Sequence, residues 1–215
     1  MSEVMEQEIN NTMSDTEVFR KLLVSPREVF KYINDNHYDK YTTILLALGG
    51  ISRAFDRASM RGMGDHSSLA MIVGMCIIVG GLFGWLSFYM YAGLLNWTGK
   101  WLNANGNTQS ILRVLAYAMV PAVIALIYLI PQIGIYGIEV FKSDGDLTSA
   151  GVLSNIAVWG SMFFELVLGV WSIVLCVIGI SEVQKLPIGK SILNLLLPVI
   201  VIVTPIILVV LLTQL

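Results

Sequence analysis

Apolar residues occupy four long stretches of this chain, and almost no charge interrupts them. Leu69 to Gly99, Val114 to Ile138 and Ser191 to Leu215 have no charged residue, and Leu147 to Ser181 has one, Glu165. About 20 helical residues at 1.5 Å each cross a bilayer core, where every backbone amide needs a partner within its own segment. The pattern therefore predicts an all-α protein with membrane-spanning helices.

A fifth apolar stretch, "YTTILLALGGIS", has only twelve uncharged residues between Lys40 and Arg53. Its length alone favours an interfacial or buried helix. Asp56 and Arg57 follow Arg53 at helical spacing, so Asp56 can partly neutralise Arg53 and the helix can continue to about Met60 within the membrane. The distribution of Lys and Arg does not decide between four and five spans. With either number of spans, nine of these residues lie on the N-terminal side of the membrane and four on the opposite side. Either count predicts a cytoplasmic N-terminus.

The polar segment before these stretches divides into two parts. Residues 1–13 are predicted to be disordered. Residues 14–40 read as two short amphipathic helices, with capping-box patterns at Ser14 and Ser25. Their apolar positions are predicted to face lipid or the bundle, and the segment fits a membrane surface as well as a cytosolic partner. These positions are Val18, Phe19, Leu22, Val29, Phe30 and Ile33.

Composition supports a membrane protein and excludes several other classes. The chain is 56% hydrophobic and 13% charged, and its mean hydropathy is +0.75, whereas soluble domains carry about a quarter charged residues. A net charge of −2 gives no basic face for nucleic acid. Two cysteines and two histidines are too few for a metal cluster, and no cofactor motif is present, so no cofactor is expected. Hydrolase and phosphate-loop motifs are also missing, which predicts a protein that is not an enzyme.

Three motifs resemble the bacterial branch of the Yip1 family: "SPREVFKYI" before the first span, "LLNWTGKWL" after the second and "RVLAYAMVPAVI" at the start of the third. The resemblance covers roughly Leu22 to the C-terminus. It implies a transmembrane domain over residues 41–215 with five spans, at about 41–60, 69–97, 112–137, 152–180 and 191–213. It also implies a multi-pass protein of the bacterial cytoplasmic membrane, and it maps no partner-binding residues.

Glu165 is the most informative single residue, because an ionised carboxylate near the membrane midplane costs several kcal/mol, on the order of 3, unless it is paired or protonated. Three interpretations remain open. It is a neutral acid hydrogen-bonded to Ser161 or another helix, an ion-pair partner of Arg53, Arg57 or Arg113, or a proton or substrate site.

The other candidate residues have structural interpretations beside functional ones. Arg113 either extends to phosphate headgroups or forms an ion pair within the bundle. Gly80, Gly81 and Gly84 supply a small-residue face for close packing inside one subunit or in a homodimer. Three further side chains complete the set: Pro121 as a helix kink, and Trp97 and Trp101 as interfacial anchors beside Lys100.

Two functions follow from these patterns. The first is a noncatalytic membrane protein that acts in membrane organisation or scaffolding. The lipid bilayer surrounds it, and its candidate partners are other membrane proteins or a second copy of the chain. The second is a small transporter or channel component that uses Glu165 as a proton or cation site, with helices broken at prolines around it.

Overall fold

The computed structural model describes residues 13–147 and 152–213. The predicted disorder of residues 1–12 lies outside this part of the chain, while Met13 packs against the core. Within these residues, eight α-helices and two short 3₁₀ segments form the fold, and there is no strand. The helices are α1 Asp15–Val24, α2 Pro26–Asp35, α3 Thr42–Met60, α4 Leu69–Trp101, α5 Thr108–Ala118, α6 Val120–Tyr136, α7 Val152–Gln184 and α8 Ile188–Thr213, and the 3₁₀ segments are Met63–Asp65 and Gly137–Phe141.

The predicted all-helical bundle is confirmed, and four of its segments are long and apolar enough to cross a membrane. These are Leu69–Trp101, Thr108–Phe141, Val158–Gln184 and Ile188–Thr213. The fifth predicted span forms α3, whose 19 residues extend about 28 Å at 1.5 Å per residue. Because α3 carries Arg53, Asp56 and Arg57, it is not among the four, so five spans is an approximate count. It nevertheless packs along α4 as a member of the bundle.

The two N-terminal helices dock on the bundle instead of lying with their apolar faces on lipid. The predicted apolar positions Val18, Leu22, Val29, Phe30 and Ile33 are at most 1% exposed and belong to the main hydrophobic core. Phe30 packs beside Gly179 of α7. We call the end of the bundle that carries α1 and α2 the N-terminal end. The turns after α4 and α7 lie at this end, where the amide of Asn105 donates to the carbonyl of Gln184 at 3.0 Å.

The predicted capping boxes had different outcomes. The Ser14 hydroxyl caps α1 by accepting a hydrogen bond from the amide of Glu17 at 3.3 Å. Ser25 makes no side-chain cap, so the second prediction was wrong. Glu28, its expected partner, instead accepts a hydrogen bond from Lys21 of α1 at 2.9 Å, which ties the two short helices together.

The third span is interrupted at Met119, between α5 and α6. Pro121 lies in the first turn of α6, where its missing N–H disrupts the helical hydrogen-bond ladder. Serine hydroxyls from neighbouring helices donate to carbonyls around this break: Ser172 to Ala118 at 2.6 Å and Ser52 to Ala122 at 3.2 Å. The break is therefore held from both sides by α3 and α7.

Candidate functional site

Glu165 lies on an exposed face of α7 and bonds to a neighbouring helix. The amide of Gln132 on α6 donates to Glu165 Oε1 at 3.2 Å. Ser161, the intrahelical partner considered from sequence, donates instead to the carbonyl of Val158 at 2.9 Å. Glu165 takes part in no ion pair within the described residues. Of the three interpretations, the hydrogen bond to another helix matches this geometry.

Asp56 of α3 faces the same space as Glu165. A cavity of about 200 Å³ opens between α3, α6 and α7, and both carboxyl groups line it together with Gln132. The hydroxyls of Ser52 and Ser59 also line it, and both donate to backbone carbonyls. Two carboxyl groups that share one cavity repel each other when both are ionised, and a proton or a cation between them removes that repulsion.

Arg53 and Asp56, which were expected to neutralise each other partly, form no ion pair among the described residues. The Arg53 guanidinium lies over the ring of Phe88 on α4, 4.4 Å from its centroid. Arg53 and Arg57 line a groove between α3 and α4, on a different side of α3 from the cavity. Helix α3 thus separates its positive and negative side chains.

Arg113 is buried at the N-terminal end and forms an ion pair there. Its guanidinium donates to both carboxylate oxygens of Asp39, at 2.7 and 3.1 Å, and Arg113 is only 6% exposed. Of the two interpretations of Arg113, the ion pair matches the geometry, although Asp39 in the loop before α3 was not foreseen as its partner. The bidentate bond holds the pKa of Asp39 below its usual value.

A second carboxylate, Asp15, ties α1 to the same loop. It accepts hydrogen bonds from Lys40, from Tyr38 at 2.5 Å and from Tyr41 at 2.7 Å. The bond from Lys40, followed by those from the two tyrosines, lowers the pKa of Asp15. Two carboxylates with lowered pKa values therefore join the N-terminal helices and the following loop to the bundle.

We expect the N-terminal helices to undock in acid. A carboxylate whose folded pKa lies below its unfolded value stabilises the fold above the unfolded value, here 3.8 for Asp15 and Asp39, and that contribution disappears as pH falls through the folded pKa. The protection of the α1 and α2 amides against hydrogen exchange in detergent, measured relative to the intrinsic rate at each pH, should thus be high at pH 7 and fall progressively below about pH 4. Asp39→Asn should reduce protection at pH 7 and flatten the profile. Equal protection at pH 7 and pH 2.5 in the parent would contradict this prediction.

The predicted small-residue face of α4 contacts α3 within the same chain. A Cβ added at Gly84 would lie 2.4 Å from the Cα of Gly50, and one added at Gly80 would lie 3.0 Å from the Gly50 carbonyl oxygen. At Gly81 a Cβ would meet only the side chain of Ile51, at 3.7 Å. Gly80 and Gly84 therefore bring the two helix backbones together, with Gly50 opposite them.

Trp97 and Trp101 lie at the N-terminal end of the bundle. They are 48% and 53% exposed, and their ring centroids are 4.9 Å apart in an edge-to-face arrangement. Lys100 lies between them in sequence and is exposed. Exposed tryptophans beside a lysine at a helix end are typical of a membrane–water boundary.

Sequence reasoning missed a buried polar network that joins α4, α7 and α8. Asn194 donates to the side-chain oxygen of Gln184 at 2.7 Å and to the Leu95 carbonyl at 3.2 Å. Its own oxygen accepts a hydrogen bond from Thr98 at 2.8 Å. All three side chains are at most 1% exposed. The feature that could have indicated this network is an uncharged amide side chain within or beside an apolar stretch. A search for charged residues does not detect it.

In the described part of the chain, no group of three or more His, Cys, Asp or Glu side chains that could hold a metal ion converges. Among the described residues, Asp56 and Glu165 are the carboxyl groups that line the cavity between α3, α6 and α7. The arrangement suits a proton or a weakly held cation, or a hydrogen-bonding partner that enters from the lipid side.

An all-helical bundle with four long apolar segments defines this chain as a polytopic integral membrane protein. A family model, the Yip1 domain, matches residues 20–211. The chain therefore belongs to the Yip1 domain family, as its motifs indicated. Comparisons with curated proteins and with solved structures gave no match.

Proposed function

We propose that this protein is a noncatalytic component of the bacterial cytoplasmic membrane, of the bacterial branch of its family, that organises the membrane by binding other membrane proteins. The hydrogen-bonded pair of Glu165 and Gln132, on an exposed apolar face of the bundle, supports this proposal. The family membership supports a membrane role without specifying the partner.

The surroundings of Glu165 explain why this pair favours association. Its neighbours on α7 are large and exposed, including Phe163 at 67% and Leu166 at 65%. A polar group that faces lipid lacks partners for its remaining lone pairs, and helices in membranes associate through such groups, at about 0.6–2 kcal/mol per hydrogen bond. A partner helix with a donor side chain would satisfy Glu165 and cover these apolar neighbours.

We also propose that the N-terminus is cytoplasmic. Nine of the thirteen Lys and Arg residues belong to the N-terminal segment or to the turns that pack with it. Loops rich in Lys and Arg stay in the cytoplasm. Labelling of a single cysteine placed in the loop before α3 should require a membrane-permeant reagent.

Photocrosslinking in native membranes tests the binding of a partner. A photoreactive residue at Leu166 should give a reproducible adduct with another membrane protein, whereas one at Leu82, 68% exposed on α4, serves as a control. Glu165→Leu should reduce the Leu166 adduct at least fivefold because the acceptor is lost, while Glu165→Gln should retain it. Identical adduct patterns from Leu166 and Leu82 would refute a specific surface.

A second candidate function rests on a separate observation, the position of Asp56 in the same cavity as Glu165. A carboxyl pair between three helices is a chemically reasonable proton or cation site in a small transporter. Proton-coupled flux in liposomes that is lost in both Asp56→Asn and Glu165→Gln would favour transport over the scaffolding proposal. Under the scaffolding proposal, parent and variants should show the same background flux.

A further inference from the structure

Helix α3 carries a row of arginines along its border with α4. Arg53, Arg57 and Arg61 are spaced four residues apart, so they recur along one side of the helix at intervals of about 6 Å. All three are exposed. Arg61 is the C-cap residue of α3 and lies at the end of the bundle opposite to α1 and α2. From there the arginines extend along α3 toward the middle of the bundle.

None of the three arginines takes part in an ion pair within the described residues. Asp56 faces the cavity shared with Glu165. Asp65, in the turn after α3, accepts a hydrogen bond from the backbone amide of Ser143 at 3.3 Å. A guanidinium at membrane depth is costly without an anion, and of the three arginines only Arg53 stacks on a ring of the described residues, that of Phe88.

The space beside the row is narrow and has apolar walls. Two adjoining cavities, of about 280 and 200 Å³, lie along it. Arg57 and Val79 line both of them, Phe83 lines the deeper one and Arg61 the outer one. A helix with its side chains is about 10 Å across and does not fit such a space, whereas a single acyl chain below a phosphate does.

We propose that this groove between α3 and α4 binds an anionic phospholipid, with Arg57 and Arg61 holding its phosphate and Val79 and Phe83 contacting an acyl chain. Arginine suits this role because its planar, permanently charged fork donates two hydrogen bonds to one phosphate. The bound lipid supplies a partner anion for Arg57 and Arg61, which form no ion pair within the described residues. The groove is on a different side of α3 from Glu165, so this site is independent of the proposed partner surface.

Native mass spectrometry of the detergent-solubilised protein with equimolar phosphatidylglycerol and phosphatidylcholine tests the proposal. The parent should retain phosphatidylglycerol at least fivefold over phosphatidylcholine. Arg57→Gln together with Arg61→Gln should bring the ratio near one, and Arg57→Lys with Arg61→Lys should restore part of the preference. Both arginines are exposed and form no ion pair within the described residues, so the double variant is expected to fold, and its melting temperature in detergent checks this.

Arg20→Gln with Lys31→Gln is the matched control, since it removes the same charge from exposed positions at the N-terminal end. It should leave the lipid preference unchanged. Equal retention of both lipids by the parent, or an equal loss in the control, would overturn the proposal. So would a lipid-free dimer in the same spectra that depends on Arg57 and Arg61, because the anion would then come from a second copy.

Discussion

Replacing Gly84 with alanine is expected to destabilise the bundle, although alanine is the better helix former. The added Cβ would lie 2.4 Å from the Cα of Gly50. A backbone atom cannot relieve such a clash by changing rotamer, as a side chain can. Helices α3 and α4 must then separate along their crossing, which loosens the contacts on both sides of it. Overpacking of this kind costs about 1–3 kcal/mol, measured as a lower unfolding free energy or melting temperature in detergent.

Gly93→Ala is the matched control, because Gly93 lies in the same helix and an added Cβ there would meet nothing within 4 Å. It should be neutral or stabilising by up to about 1 kcal/mol, the helix-propensity difference between glycine and alanine. The two substitutions make the same chemical change, so opposite signs isolate the helix crossing. If Gly84→Ala melts at or above the parent temperature, the close approach of α3 and α4 is wrong.

The long apolar helices could be predicted from sequence because lipid imposes a length and a composition on them. Helix α3 is different: its charges obscure its place in the bundle, which the family resemblance implied and the packing of Gly50 against α4 shows. The apolar faces of α1 and α2 were visible, but a hydrophobic stripe does not say whether lipid or protein will cover it. Here the core of the bundle covers it.

At the candidate site, sequence identified Glu165 because a single charge in an apolar run is conspicuous. It could not assign partners, since these depend on how helices distant in sequence face each other. Gln132 lies 33 residues from Glu165, and Asp39 lies 74 residues from Arg113. From spacing alone, Asp56 was expected to neutralise Arg53 partly, but the two side chains project from α3 toward different neighbouring helices.

The buried network around Asn194 gives the second large effect, because its members depend on one another. Asn194 makes three side-chain hydrogen bonds, to Gln184, to the Leu95 carbonyl and with Thr98. In Asn194→Ala, these bonds disappear and the side-chain oxygen of Gln184 loses its donor in a site closed to water. A buried acceptor left without a partner costs about 1–3 kcal/mol, beyond the bonds themselves, each about 0.6 kcal/mol in membranes.

We therefore expect Asn194→Ala to lower the unfolding free energy by roughly 3–5 kcal/mol, the sum of one orphaned acceptor and the three lost bonds. Ser191→Ala is the control in the same helix: Ser191 is equally buried, but its hydroxyl donates only to the Pro187 carbonyl, which its own backbone amide already bonds. It should cost less than about 1 kcal/mol. Gln184→Ala added to Asn194→Ala should cost less than the two single changes together, because the second change removes the acceptor that the first orphaned. Additive losses would mean that the two amides act separately, and α4, α7 and α8 would then be joined by apolar packing alone.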